Sequence, residues 1–325
     1  MGTSTNILRK LAIKAEVVQD PRVYIAPDTL IGFNSSQAKQ EHEMIEDESI
    51  VGVAFKDLPL QSIRKVTGTI EADAEDTSIA TMLAVAFGAD SSQVYTMPDD
   101  KNERSVSMVY LDEVKTNKYA GCFLNNLKFD SSAGEGLKWS LDYIGYLAEV
   151  RDDTAYPTPS INPGNRFLHQ QLCGTGSGYF RIGDQANALD SGDNNDKIES
   201  LSLGFNWAFD FMNANCQQSL LPLSGQGGRP EATFEFVIAR HDADTFLAWR
   251  DARTQLQADI LYYGSATSQL QFEIPNFVVT AVEKTDDDVT KLNVTLALAR
   301  NGLGTNYTNS NMTFNSPIRA TLTNS

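Results

Sequence analysis

The eleven residues Leu201-Ser202-Leu203-Gly204-Phe205-Asn206-Trp207-Ala208-Phe209-Asp210-Phe211 put every large apolar side chain at an odd position and every small or polar one at an even position. Successive side chains of a strand leave on opposite faces, so this period of two makes one face apolar and the other polar. The stretch predicts one long strand over 201–211 with a single buried side. The same alternation returns at Leu137, Trp139, Leu141 and Tyr143, and again at Leu292, Val294, Leu296 and Leu298. Loops rich in Gly, Asp, Asn and Ser separate such runs, notably 190–196 and 285–288. The chain is read as mainly β.

Two segments read as helices. In the first, Asp76 or Thr77 caps a run whose Ile79, Met82, Leu83 and Ala86 share a face, and Gly88 stops it. In the second, Asp242 and Asp244 occupy the first turn, Phe246, Leu247 and Trp249 form the apolar face, and Arg250 and Arg253 lie near the C-terminal end, where the helix dipole favours cations. Both are short, and packing on a sheet explains their apolar faces.

The helices stand in matching surroundings. Leu58-Pro59-Leu60, Arg64, a strand from Thr69, the first helix, Asn126-Leu127-Lys128-Phe129 and the strand at 137–143 follow one another in the first half. Leu221-Pro222-Leu223, Arg229, a strand from Thr233, the second helix, Asn276-Phe277-Val278-Val279 and the strand at 290–298 follow in the second, at offsets of 163, 164 and 150. The kept order predicts an internal duplication. The expected division is 1–155 for the first domain with an N-terminal arm, 156–165 for a stiff Pro-rich linker, and 166–325 for the second domain with a C-terminal arm. The polar tails, 1–15 and 303–325, are expected to act as arms that order on assembly.

The 325 residues suffice for one large or two modest β domains. Net charge is −16, with 15 Lys and Arg against 25 Asp and Glu in 1–160, and 11 against 17 in 161–325. An acidic surface repels phosphate backbones, which disfavours tight nucleic-acid binding. No secretory signal or membrane-length apolar window is present, so a soluble chain made in the cytoplasm is expected. Cys122, Cys173 and Cys216 form no CxxC pair and read as reduced thiols, and His42, His169 and His241 are as scattered.

No segment carries recognisable chemistry. Gly174–Gly178 leads into the strand-like Tyr179-Phe180-Arg181-Ile182, and Gly225–Gly228 lacks the Lys-Ser/Thr of a phosphate loop, so both read as turns. Asp190, Asp193, Asp196 and Glu199 lack the spacing of a calcium loop and read as a solvated acidic turn. Glu46-Asp47-Glu48 and Asp152-Asp153 read as loop charges. No nucleophile motif is present. The expectation is a non-enzymatic chain without catalytic, cofactor-binding or metal-binding residues.

The approach Gly52, Phe55, Pro59 into Val66-Thr67-Gly68-Thr69-Ile70-Glu71, then Tyr119-Ala120-Gly121-Cys122-Phe123-Leu124-Asn125-Asn126-Leu127-Lys128-Phe129 and Gly134-Glu135-Gly136-Leu137-Lys138-Trp139-Ser140-Leu141-Asp142-Tyr143, resembles the major tail tube proteins of long-tailed, siphovirus-type bacteriophages, of the large two-domain kind. The likeness covers most of 45–150 and, through the duplication, the core of 200–300, where Pro275-Asn276 replaces the Gly-Cys segment. It implies two tandem β-sandwich or small-barrel domains, each with one helix. It also implies self-assembly into stacked trimeric rings around a channel, alongside tape-measure, terminator and distal tail proteins. DNA would pass without tight binding, past acids such as Glu71 and Asp73. The place implied is the virion tail, with no membrane partner. Two other classes share the β pattern: a capsid decoration or tail terminator protein, and a carbohydrate-binding module stacking sugars on Trp139, Trp207 or Trp249.

Overall fold

The structure is a computed structural model. It describes residues 10–16, 26–27, 29–45, 60–88, 92–97, 105–112, 115–151, 164–172, 178–193, 197–212, 224–226, 231–239, 243–285, 291–298, 307–309 and 311–324. The fold is mainly β, with sixteen strands joined in one antiparallel system. The first half runs β1 (Lys10–Glu16), β2 (Thr29–Ile31), β3 (Ser35–Ile45), β4 (Leu60–Asp73), α1 (Asp76–Phe87), β5 (Val94–Thr96), β6 (Ser105–Asp112), β7 (Lys115–Ser132), β8 (Lys138–Gly145) and β9 (Leu147–Arg151). The second runs β10 (Tyr179–Asp184), β11 (Ile198–Asn206), β12 (Asp210–Met212), β13 (Ser224–Gln226), β14 (Glu231–Ala239), α2 (Ala243–Ala252), β15 (Leu256–Ser265), β16 (Ser268–Thr285), β17 (Lys291–Leu298) and β18 (Arg319–Asn324).

In the first half the strands pair in the order β3-β4-β8-β7-β6-β1. In the second they pair in the order β11-β14-β17-β16-β15-β10. One order maps onto the other strand for strand, and in each half the helix follows the second strand of the series. The irregularities fall at corresponding places. Ser107 faces both Ala120 and Gly121, between the pairs Val106↔Cys122 and Met108↔Tyr119. Gln257 likewise faces Pro275 and Asn276, between Leu256↔Phe277 and Ala258↔Ile274. Asn125 is the extra residue of β7 against β8, and Thr280 is the extra residue of β16 against β17. Gly121 has φ +60°, a conformation that suits glycine; Asn276 at the matching place instead donates from Nδ2 to the Tyr307 carbonyl.

The two halves share one apolar core. Phe87 of α1 meets Phe205 of β11 edge-on at 5.0 Å, and Phe129 of β7 lies 5.4 Å from Phe272 of β16. Strand β11 pairs with β7 as well as β14, and β18 lies between β16 and β5. Most of the Pro-rich stretch falls in 152–163, outside the described residues. Its last positions pack tightly: Asn165 donates from its backbone N and from Nδ2 to the Asp76 carboxylate at 3.0 and 3.1 Å. A Cβ on Gly164 would come within 2.5 Å of Asp76 Oδ1.

The predicted strand over 201–211 breaks after Asn206. The Asn206 Oδ1 accepts the Ala208 N–H at 2.7 Å and Ala208 takes φ +44°, a local turn that competes with the ladder. Asn125 completes the break, accepting from Trp207 N with its carbonyl and from Phe209 N with its side chain. Phe209 then stacks on Phe123 at 4.1 Å in a satellite cluster with Ile144 and Tyr146. The alternating burial survives through Phe209 although the strand does not.

Helix α1 begins one residue away from a side-chain cap. Glu75 is the N-cap and makes no side-chain capping bond, its carboxylate lying 3.4 Å from Arg166 Nε, while the Asp76 carboxylate is bound to Asn165. Gly88 ends the helix at φ +96°, its N–H bonded to Ala84 O. Ile79, Met82, Leu83 and Ala86 are buried as expected. In α2, Phe246 is fully buried, whereas Trp249 and Leu247 are half-buried, and Arg253 lies just past the helix at φ +52°. Phe246→Ala is therefore expected to cost about 3–5 kcal/mol in denaturant unfolding, and Trp249→Ala well under that. The reverse ranking would contradict this packing.

The tails also differ from expectation. Residues 10–16 form β1, paired with β2 and β6, and 319–324 form β18. The Ser, Thr and Asn around β18 mask Ile318, Ala320 and Leu322, which alternate into the core.

Candidate assembly interface

Alternation along the central strands decides the chemistry of both faces. Ile70, Trp139, Leu127, Leu203, Phe236 and Val294 point into the core. The opposite face therefore carries Glu71, Ser140, Asp142, Lys128, Asp130, Ser202, Glu235, Asn293 and Thr295. A groove of about 570 Å³ lies on this face and crosses from one half to the other. Asp130, Ser132 and Lys138 line it from the first half, and Ser200, Ser202, Glu235, Glu283, Asn293 and Thr295 from the second. The lysine that lines it is already engaged, Lys138 lying 2.8 Å from Glu135, and Lys128 on the same face lies 2.9 Å from Asp130. The Lys138–Glu135 hydrogen bond and charge raise the ammonium pKa and lower that of the carboxyl. Of the two acids expected to face a channel, Glu71 is exposed and accepts from Ser35 Oγ at 2.9 Å. Asp73 is instead turned to Arg166 Nη1 at 3.0 Å and Asn34 Nδ2 at 3.1 Å.

Among the described residues the short strands β2, β5, β9 and β10 each pair on one side only, and two longer edges are open as well. Strand β3 pairs with β4 alone. Beyond Phe277, β16 pairs with β17 alone, whereas its first part is flanked by both β15 and β18. Unpaired N–H and C=O groups along an edge are a template for another strand.

Sequence reading missed a buried polar cluster where the halves meet. Ser131 of β7 is 3.0 Å from His169 Nδ1 and 2.8 Å from the Tyr262 hydroxyl, and His169 Nε2 is 3.1 Å from Ile198 O. A carbonyl only accepts, so Nε2 carries the proton and Nδ1 accepts from Ser131, whose Oγ in turn accepts from Tyr262. Ser131 and His169 are 4% and 3% exposed, so the pair ties the halves together rather than presenting a nucleophile. Burial lowers the His169 pKa, with the Ile198 bond opposing it. Below about pH 6.5 the unfolded chain takes up the proton first. Stability is therefore expected to fall as pH drops from there toward the lowered folded value, and to level off below it. Urea midpoints across that range test this, since His169→Gln should flatten that part of the profile.

The remaining candidates separate simply. Trp139 and Trp207 are fully buried and offer no open face to a sugar, and the half-buried Trp249 packs edge-on against Phe246 at 5.2 Å. Asp190 and Asp193 bind the turn's own backbone, and no three His, Cys, Asp or Glu cluster as metal ligands among the described residues. Cys122 is buried; Cys173, Cys216, His241 and residues 174–177 lie outside the described residues, as do 46–48 and 152–153. Among the described residues no helix is long and apolar enough to cross a membrane.

Residues 7–272 match the family model described as phage tail tube protein. The chain belongs to the phage tail tube protein family. No individual curated protein matches it. A tail tube protein is a structural component of the virion tail, which assembles with its own copies and with other tail proteins. The open edges and the two-sided sheet are features such a role uses. Membership of a structural family fits the expectation of a non-enzymatic chain.

Proposed function

We propose that three copies of this tail tube protein close into a ring of six like halves, and that the rings stack into the tube of a siphovirus-type phage through which DNA is ejected. The observation that carries the reading is the shared strand order of the two halves, with both irregularities at corresponding places. A duplicated chain with its boundary in 156–165 accounts for that match. On this reading the two domains, 1–155 and 166–325, are repeats that fold around one shared core. Tandem copies fix one interface covalently and raise its effective concentration.

The polar groove is the natural channel face. It spans both halves, carries more carboxylates than lysines, and lies opposite the core. Acids there keep a moving polyanion from sticking. Concentrated purified chain should form rings or tubes visible by negative stain. A chain that stays monomeric at every salt and concentration, and is absent from tails, would contradict the reading.

A further inference from the structure

We infer that β3 of one copy pairs antiparallel with the C-terminal part of β16 in the next, in the register Gln37↔Thr285, Lys39↔Glu283 and Glu41↔Ala281. The inference rests on the ring proposed above and adds which edges close it and which residues face each other across the closure.

The template is inside the chain. Strand β11 closes the junction between halves by pairing with β7 as Ser202↔Asp130, Gly204↔Lys128 and Asn206↔Asn126. Correspondence of the ladders transfers this register. Ile70↔Leu141 matches Phe236↔Val294, and Gln37↔Thr69 matches Ser202↔Glu235. Gln37, Lys39 and Glu41 therefore stand where Ser202, Gly204 and Asn206 stand. The extra residues Asn125 and Thr280 set Asn126, Lys128 and Asp130 against Ala281, Glu283 and Thr285. In the second half the edge corresponding to the one β11 occupies on β7 has no strand on it among the described residues, and neither has the outer edge of β3. Each open edge thus corresponds to one side of the β11–β7 ladder, and a second copy of this chain is the occupant that supplies both.

The residue types fit that occupant. The register sets Lys39 and Glu283, residue types of opposite charge, at directly opposed backbone positions, which favours it over its neighbours. At the positions filled inside the chain by Leu203, Phe205 and Leu127, the open edges carry Ala38, Gln40 and Val282. Less apolar edges suit a surface that remains in water until assembly.

The test is cysteine cross-linking in the full-length chain with Cys173→Ser and Cys216→Ser. Lys39→Cys with Glu283→Cys, oxidised after assembly, should give a denaturing-gel ladder ending at the trimer. Either single cysteine should give none, and the shifted pair Lys39→Cys with Ala281→Cys several-fold less. Because cysteines can perturb assembly, charge reversal is the second arm: Lys39→Glu should weaken ring formation and Glu283→Lys added to it should restore it. Rings without the ladder, a stronger ladder from the shifted pair, or no rescue by the second reversal overturns the register while leaving the ring. Absence of any oligomer overturns both.

Discussion

Ending the chain at residue 310 is expected to leave no cooperatively folded protein. The removed segment holds β18, which pairs six residues with β16 and three with β5, so it is laid across both halves. Ile318, Ala320 and Leu322 are buried at 0, 0 and 2% exposure. Burying an Ile or Leu side chain contributes about 1.5–3 kcal/mol, and small domains have about 5–15 kcal/mol in total. Polar anchors go as well. Ser316 donates to Met97 O, Asn324 Nδ2 donates to Asp76 O at 3.1 Å, and Arg319 grips the largely buried Glu273 through two bonds of 2.6 and 2.7 Å. Removing one partner of such a pair strands the other charge. Thermal melts by circular dichroism test this, and a truncated chain melting within a few degrees of the full one would contradict it.

Reversing three acids on the polar face, Glu71→Lys, Asp130→Lys and Glu235→Lys, should create DNA binding that the native chain is not expected to show. The change moves the net charge from −16 to −10 and concentrates the gain on one face. Each phosphate neutralised steepens log K against log salt by about 0.9, so three new contacts per copy predict a slope near −3, larger in a ring. Fluorescence anisotropy at several salt concentrations reads this directly. Submicromolar binding by the native chain near physiological salt would contradict an acidic, non-adhesive channel.

The parts of this fold legible in the sequence are those that a local period encodes. Leu201, Leu203 and Phe205, or Leu137 through Tyr143, announce their buried face residue by residue. The kept order of elements in the two halves is visible for the same reason. What escaped depends on partners far along the chain. Ala208 ends the long strand because Asn125, 84 residues away, captures Phe209 N. Ser131, His169 and Tyr262 meet across separations of 38 and 131 residues that no local pattern carries. The Asp76 carboxylate expected to cap the helix is bound by Asn165 in the same way. The open edges, which matter most for assembly, are read only from which ladders are filled.

A ring of six like positions is expected to hold three chains, because each chain supplies two. Native mass spectrometry of isolated rings tests it most directly. With a chain of 35.7 kDa, a ring of about 107 kDa, three chains, is expected. A ring of six chains, at twice that mass, would contradict it.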